Sequence, residues 1–577
     1  MAADSDPDTD AAPRGPGPHD SRGLGVPSPA SRVARPVAVR LTARDGLLLL
    51  VLAVLWFGLL GQRSLIHSDE GRYAALALGM LDSGDWVTPR LNGLLYFEKP
   101  ALSYWIGAAA FRVFGVNEFA ARFWPALAGF LTVLVVAYTG ARLWGRETGL
   151  RAAAVAASAT WMVGNSHFLT LDMGLTLFLT LVLCSLLMAQ RVGIDAKAQR
   201  AWMWSAWAGM ALAVLSKGLV GIVIPGAALL IWSVWQRSFA FWRRMHWLSG
   251  LAIALAIAAP WFVVVSLRNP GFADFFFIHE HFARYLTTEH RREGAWWYFV
   301  PWLLLGLLPW TSALPWLRPG QGETMSARRM LLAWCGFVFV FFSASGSKLP
   351  SYILPMFPAL ALLVAHTLGS ASPRALQRHL LVLIVGCVVL LALATQYRRF
   401  VSASMPPDAM HALARGALAG GAIFLVGAGF ARWLLTRERV SAAVLALAFA
   451  HTAAVLVAAQ GHDAYGQRKS AAPIAAALRG ELAPDTQVFA VRSYDQTLPF
   501  YLRRTVTLVD YVDEFAYGEQ HEPERWIPTL EAFVPRWKAA PHALAYMSPG
   551  TLQTLREMGL ALRVVYQDER RVVVANS

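Results

Sequence analysis

The sequence predicts an α-helical polytopic membrane protein of about thirteen transmembrane helices, followed by a small soluble α/β domain. Three observations predict it. Apolar residues make up 56% of the 577-residue chain and charged residues only 15%, with a mean hydropathy of +0.44, more apolar surface than a soluble chain of this length can hide. Apolar runs recur at spans suited to crossing hydrocarbon. From about Gly461 the pattern changes to short alternating strands and helical stretches.

The chain opens on about forty residues rich in Pro, Gly, Ser, Asp and Arg with almost no apolar periodicity, and residues 1–44 are expected to form a disordered cytoplasmic tail. Arg40 and Arg44 precede the apolar run Gly46 to Gly61. No small-residue cleavage site follows it, so the run is expected to be an uncleaved first span rather than a signal peptide. The remaining spans are expected to centre on Leu131, Ala159, Leu179, Ala211, Ile224, Ile257, Leu305, Phe339, Leu360, Val385, Phe424 and Leu447, making residues 45–460 the membrane domain.

Charge in the connecting loops orients these spans, because Lys and Arg gather on the cytoplasmic side of short loops. With the N-terminus inside, the cytoplasmic loops hold Arg142, Arg146 and Arg151, then Arg191, Lys197 and Arg200, then Arg237, Arg243 and Arg244, and later Arg328, Arg329, Arg374, Arg378, Arg437 and Arg439. An odd number of spans then places residues 461–577 outside, as an α/β domain with strands at TQVFAVRS, RTVTLVDYV, HALAYMS, LRVVYQD and RRVVVAN and a helix over Ala471 to Leu482. The formal net charge of +15 is scattered between apolar runs, which fits topology and not nucleic acid. Cys184, Cys335 and Cys387 lie in apolar stretches without paired spacing, so neither a disulfide framework nor a cysteine metal site is indicated.

The opposite loops hold the unusual residues. In IHSDEGRYAALALGMLDSGDW, Ser68 with Asp69 and Glu70 reads as a helix cap with acids in the first turn, and Ala74, Leu78 and Leu81 line one helix face. Arg72 and Tyr73 follow, and Tyr96, Glu98 and Lys99 stand before Pro100. Asp172 sits in HFLTLDMG, where it could equally cap the next span; Lys348 and Tyr352 sit in SKLPSYILP. Lys217 in LSKGL reads as snorkelling to the headgroups. The segment FFFIHEHFARYLTTEH carries His279, His281 and Arg284. The two histidines with Glu98 are candidate ligands of a divalent metal, although residues two apart on a helix do not share a face and interfacial histidines are the plainer reading.

The stretches SDEGRYA, SGDWVTPRLNGLLYFEKPALSYW and FGVNEFAARFWPAL, with TLDMGL, HEHFARY and SKLPSYILP further on, resemble the aminoarabinose transferase family. That family belongs to the GT-C type of polytopic glycosyltransferases, which includes protein O-mannosyltransferases and uses polyprenyl-phosphate sugars. The resemblance implies an essential acid in the first outer loop, at Asp69, and a second at Asp172; Glu98 is a third candidate. It implies transfer of a sugar, 4-amino-4-deoxy-L-arabinose above others, from undecaprenyl phosphate to lipid A at the periplasmic face of the bacterial inner membrane. Such a transfer would confer resistance to cationic peptides such as polymyxin. A phosphate leaving group calls for cations where topology disfavours them, and Arg72, Lys99, Arg284 and Lys348 are the candidates, with Tyr73, Tyr96 and Tyr352 closing over phosphate or sugar. Another sugar, such as glucosamine or galacturonic acid, or a protein acceptor carrying Ser or Thr, satisfies the same residues. A lipid-linked sugar transporter would place charges near the bilayer midplane, and the apolar spans are nearly free of charge. No Walker-type loop, HExxH or GxSxG occurs.

Overall fold

The computed structural model describes residues 42–191, 193–283, 294–317, 327–402 and 405–576, with the side chains of 280–283 excepted. Residues 1–41 of the expected tail and the Arg284 position lie outside the described residues, as does the side chain of His281.

The membrane part is built from α1 (Ala43–Gly58), α2 (Asp69–Ser83), α3 (Leu102–Phe114), α4 (Glu118–Trp144), α5 (Arg146–Ser158), α6 (Thr160–Ser166), α7 (Asp172–Ala189), α8 (Ala196–Lys217), α9 (Val220–Gln236) and α10 (Trp247–Arg268). It continues through α11 (Phe299–Gly306), α12 (Ala327–Ala344), α13 (Phe357–Leu368), α14 (Pro373–Thr395), α15 (Pro407–Thr436) and α16 (Val440–Gln460). Helix α1 begins at Ala43, with Thr42 and Asp45 closing a capping box, so the helix reaches two residues into the expected tail.

Eight helical segments among the described residues are long and apolar enough to cross a membrane. The expected count of thirteen also drew on shorter pieces, such as the eight residues of α11 and the seventeen of α9. At Ala159, where a span is expected to centre, the helix breaks between α5 and α6. The Ala159 ψ of 121° ends the helix, and the freed Thr160 N–H donates to the Leu308 carbonyl at 3.1 Å.

The α7 helix is the buried axis: seventeen of its eighteen residues are buried, because a continuous apolar run packs on every side. Helices α10 and α14 show the reverse, with only Gly250, Trp261 and Val265 buried in the first and Leu376 and Leu380 in the second. Their leucine-rich and valine-rich faces are turned outward, as helices facing lipid require.

After α16 the chain forms a five-stranded mixed sheet in the order β4 (Thr507–Val509), β3 (Gln487–Val491), β5 (Ala543–Met547), β7 (Val572–Ala575), β6 (Arg563–Gln567). The β3 strand pairs in parallel with β4 and β5, and β7 runs antiparallel to both β5 and β6. All five expected strands form. The expected helix is shorter, spanning Ala472–Ala477 before a 3-10 turn. A short hairpin between α2 and α3, β1 (Arg90–Leu91) and β2 (Leu94–Leu95), turns through Asn92 and Gly93, both at positive φ.

The sheet region rests on that loop through paired contacts. Asn92 Nδ2 donates to the Val506 carbonyl at 2.7 Å, and the Val506 N–H donates back to Asn92 Oδ1 at 2.8 Å. Arg90 meets Glu522 at 2.7 Å. Tyr501 Oη accepts from the Leu65 N–H at 2.8 Å and donates to Glu118 at 3.0 Å.

Candidate functional site

The loop between α1 and α3 is anchored by a buried ion pair where the sequence predicts an ordinary acidic first turn. Glu70 is 2% exposed and Arg122 fully buried. Arg122 Nε and Nη2 reach the two Glu70 oxygens at 2.7 and 2.8 Å, and its other donors satisfy the carbonyls of Leu60, Arg63 and Ser64. Glu70 also accepts the Ile66 and Leu169 N–H groups at 3.1 and 3.0 Å. Burial alone would raise the Glu70 carboxyl, but the Arg122 charge and its hydrogen bonds outweigh it and hold the group below the usual carboxylate range. A buried pair this fully satisfied fixes geometry. Ser68, expected to cap α2, makes no side-chain capping bond; the Gly71 N–H donates instead to the Ile66 carbonyl at 3.3 Å.

The anchor leaves Asp69 and Arg72 on the adjoining face of α2. Arg72 Nη1 lies 3.0 Å from Asp69 and its Nε 2.6 Å from Glu514, which the C-terminal region contributes. The Asp69 side chain is 42% exposed against 15% for Arg72 and 8% for Glu514, so Asp69 is the member open to an arriving group. Gln496 donates to Glu514 from a neighbouring loop. Burial, with the field of Glu98 added, pushes the Glu514 carboxyl up to about 7 against the pull of Arg72.

Buried phenols form the wall. Tyr96 and Tyr104 are 3% and 1% exposed, and Tyr73 stacks on Tyr104 with ring centroids 6.2 Å apart. Burial raises the Tyr73 and Tyr96 phenols far above their usual range, and the fields of Asp69 and Glu98 add to it, so both stay protonated donors. Glu98 is thus within electrostatic reach of Tyr73, Tyr96 and Glu514, and Lys99 donates to the Glu98 carbonyl at 2.6 Å.

A second charged pair stands beside this group. Lys217, read from sequence as snorkelling, turns inward and ion-pairs with Asp172, and its ammonium lies 4.9 Å from the centre of the Tyr352 ring. The Asp69 charge reaches Lys217 as well. Asp172 begins α7 but is not its N-cap; that position is Leu171. The expected residues Asp69, Arg72, Tyr73, Tyr96, Glu98, Asp172 and Tyr352 are therefore brought to one end of the bundle, from loops up to 283 positions apart in sequence between Asp69 and Tyr352.

Two expected contributors stand otherwise. Lys348 is buried and donates to the Ser345 carbonyl of its own turn at 2.7 Å. His279 stacks on Phe275 with centroids 5.2 Å apart, and among the described residues no three His, Cys, Asp or Glu side chains are grouped to hold a metal ion.

Sequence reasoning missed Glu514, Gln496 and Lys217 as members of the site and Arg122 as its support. An ionisable residue inside an apolar run was the available signal for Lys217 and Arg122; nothing local in VDYVDEF marks Glu514.

Comparison with known proteins bears on this arrangement at both ends of the chain. The family model for dolichyl-phosphate-mannose-protein mannosyltransferase matches residues 47–276, and that for the aminoarabinose transferase C-terminal domain matches residues 474–576. The chain is 33% identical over 350 residues to the undecaprenyl phosphate-alpha-4-amino-4-deoxy-L-arabinose arabinosyl transferase of Erwinia tasmaniensis, covering 58% of this chain and 62% of that one. It is 36% identical over 331 residues to the protein of the same name from Pseudomonas aeruginosa, covering 56% and 59%. These alignments span less than two thirds of the relatives' own length. The crystal structure of ArnT from Cupriavidus metallidurans bound to undecaprenyl phosphate superposes with a TM-score of 0.89 at 36% identity, covering 93% of this chain and 99% of that one.

Proposed function

Because this chain belongs to the aminoarabinose transferase family, we propose that it moves 4-amino-4-deoxy-L-arabinose from undecaprenyl phosphate to a phosphate of lipid A, at the periplasmic face of the inner membrane. The observation that carries the reading is the meeting of Asp69, Arg72, Glu98, Asp172, Lys217 and Tyr352 at one end of an apolar bundle. That end offers carboxylates, cations and phenols together, and the Cupriavidus relative binds undecaprenyl phosphate.

In this transfer an acceptor phosphate oxygen forms a bond to the sugar's anomeric carbon while the bond from that carbon to the donor phosphate oxygen breaks. Undecaprenyl phosphate departs with the electron pair. The acceptor oxygen is already anionic at neutral pH, so Asp69 serves mainly to orient the reacting sugar, whose amino group it can pair with. Arg72, beside Asp69, and Lys217, beside Asp172, meet the charge that grows on the leaving phosphate. Tyr73 and Tyr96 add neutral donors. Catalysis of this kind is positioning plus electrostatics.

Mass spectrometry of lipid A from cells with and without the protein tests donor and acceptor at once: the reading expects the mass of an aminoarabinose residue on a lipid A phosphate. A different increment names another sugar, and unchanged lipid A removes it as acceptor. Asp69→Asn keeps the shape of α2 and removes the charge that Arg72 holds; it should cost tenfold or more in transfer, about the worth of one charge-assisted contact. Near-normal transfer by that variant would leave Asp69 without a catalytic part.

A further inference from the structure

At the end of the bundle away from Asp69, helices α1, α4, α5 and α16 enclose a cleft that the transfer reaction does not use. Its volume is about 480 Å³. Leu48, Leu49 and Leu52 of α1 form one side, and small residues that hold no side chain across the gap, among them Ala137, Ala153 and Ala157, form the other. The cleft continues into a polar mouth of about 400 Å³ edged by Arg44, Arg146 and Arg439 and by the exposed Glu147, 3.6 Å from Arg146, and the two share Asp45, Leu48, Arg146, Leu150 and Leu445.

The mouth is built. Asp45 is 6% exposed, accepts the Thr42 N–H and hydroxyl at 2.9 and 2.8 Å, and holds Arg146 Nη2 at 2.5 Å. Arg146 is thereby fixed at the seam between apolar cleft and mouth, with 40% of its side chain still open. Arg44 and Arg439 are exposed, and neither has a carboxylate partner among the described residues.

An apolar space of this size between helices in hydrocarbon is not left vacant, since its lining would forfeit dispersion contacts, and apolar walls do not hold water. Its occupant has an apolar chain, and the arginines select the charge of the group at the chain's end. We propose that this cleft is a binding site for an anionic phospholipid of the leaflet opposite the transferase site. One acyl chain lies between α1 and α5, and the headgroup phosphate is held by Arg44, Arg146 and Arg439. Basic pockets between transmembrane helices suit this charge pattern, and lipid there adds to the Asp45–Arg146 pair and the packing of Leu52 and Trp56 that already hold α1.

The test uses the full-length protein, delipidated in detergent and titrated with phosphatidylglycerol or phosphatidylcholine, with bound lipid counted by native mass spectrometry. Wild type is expected to retain phosphatidylglycerol in preference to phosphatidylcholine. The Arg44→Gln, Arg439→Gln double variant is expected to bind phosphatidylglycerol about thirtyfold more weakly, from the usual strength of two basic residues at an anionic surface. Ala153→Phe, which fills the cleft, is expected to lose both lipids. Thermal midpoint and elution volume show that each variant is folded. Arg44→Gln alone serves should the double variant fail to fold, with about a fivefold loss expected. Equal retention of the two lipids by wild type, or unchanged phosphatidylglycerol binding in the folded arginine variants, overturns the proposal. So does binding that appears only when residues 1–40 are removed, which would make that segment the occupant.

Discussion

The two charged pairs of the site differ in what a substitution exposes. Lys217→Met leaves Asp172 as a carboxylate with 11% of its side chain exposed and no ammonium beside it, and stranding a buried charge in this way costs about 3 to 5 kcal/mol. Replacing both members, as Asp172→Asn with Lys217→Met, removes the stranded charge and should recover most of the thermal midpoint. If the pair serves transfer, the double variant stays inactive although stable; recovered transfer would make it purely structural. Glu514 gives a pH signature. Its folded pKa of about 7 stands above the ordinary 4.5, so the folded state binds the proton more tightly than the unfolded chain. The contribution of Glu514 is therefore most favourable below about pH 4.5 and is lost as pH rises toward 7, by about 3 kcal/mol at most. The thermal midpoint of Glu514→Gln, measured from pH 5 to pH 8, should lack that part of the decline seen in wild type. A variant whose pH profile overlays the wild-type curve would show that Arg72 keeps Glu514 ionised throughout. Of these groups Asp69, Arg72, Glu98 and Asp172 were legible because each breaks an apolar pattern at the expected boundary. The Lys217 pairing was not, since its partner lies 45 positions away and one-dimensional charge gives no hint of which way a long side chain turns.

Among the elements, α2 shows how little of a contact is written in its own sequence. Of its expected face, Ala74 and Leu78 are buried and Leu81 is half-buried, yet the position that decides its seating is Gly71. A Cβ there would lie 2.5 Å from the Gln496 carbonyl carbon and 2.5 Å from the Thr497 nitrogen, so backbone meets backbone and neither can rotate away. Gly71→Ala must push the C-terminal region off the loop, at about 1 to 3 kcal/mol or more, and carry Glu514 away from Arg72. The expected result is a lower thermal midpoint with transfer reduced beyond the loss of folded protein; an unchanged midpoint would show that the loop slides freely. The sheet strands were legible because each is a short apolar run between turn residues. The membrane helices were less so. Composition alone marks an apolar run around Ala159 as a span, whereas the break there depends on the Leu308 carbonyl waiting for the Thr160 N–H and on the Ser158 hydroxyl taking the Trp310 indole at 2.9 Å, partners about 150 positions along the chain.

On the scale of the whole molecule, topology and the site constrain each other. The basic loops, including Arg191, Lys197 and Arg200, assign one face to the cytoplasm by charge alone, while the contact of Glu514 with Arg72 at 2.6 Å places the C-terminal region on the same face as Asp69 by geometry alone. The two arguments share no residue. Charge predicts that Asp69 and the C-terminus are both outside; geometry predicts that they cannot be on different sides. A reporter active only outside the cytoplasm, fused after Ser577, should therefore be active, and the same reporter inserted after Asp195, ahead of the α8 helix that begins at Ala196, should be silent. If the first is silent and the second active, the charge argument has failed and the whole site faces inward, which would leave a lipid A acceptor on the wrong side. If both report the same side, an odd number of crossings does not separate the α7–α8 loop from the C-terminus, and the arrangement of helices between them is wrong. Only the predicted pair of signals is compatible with a donor phosphate and a lipid A phosphate meeting at Asp69.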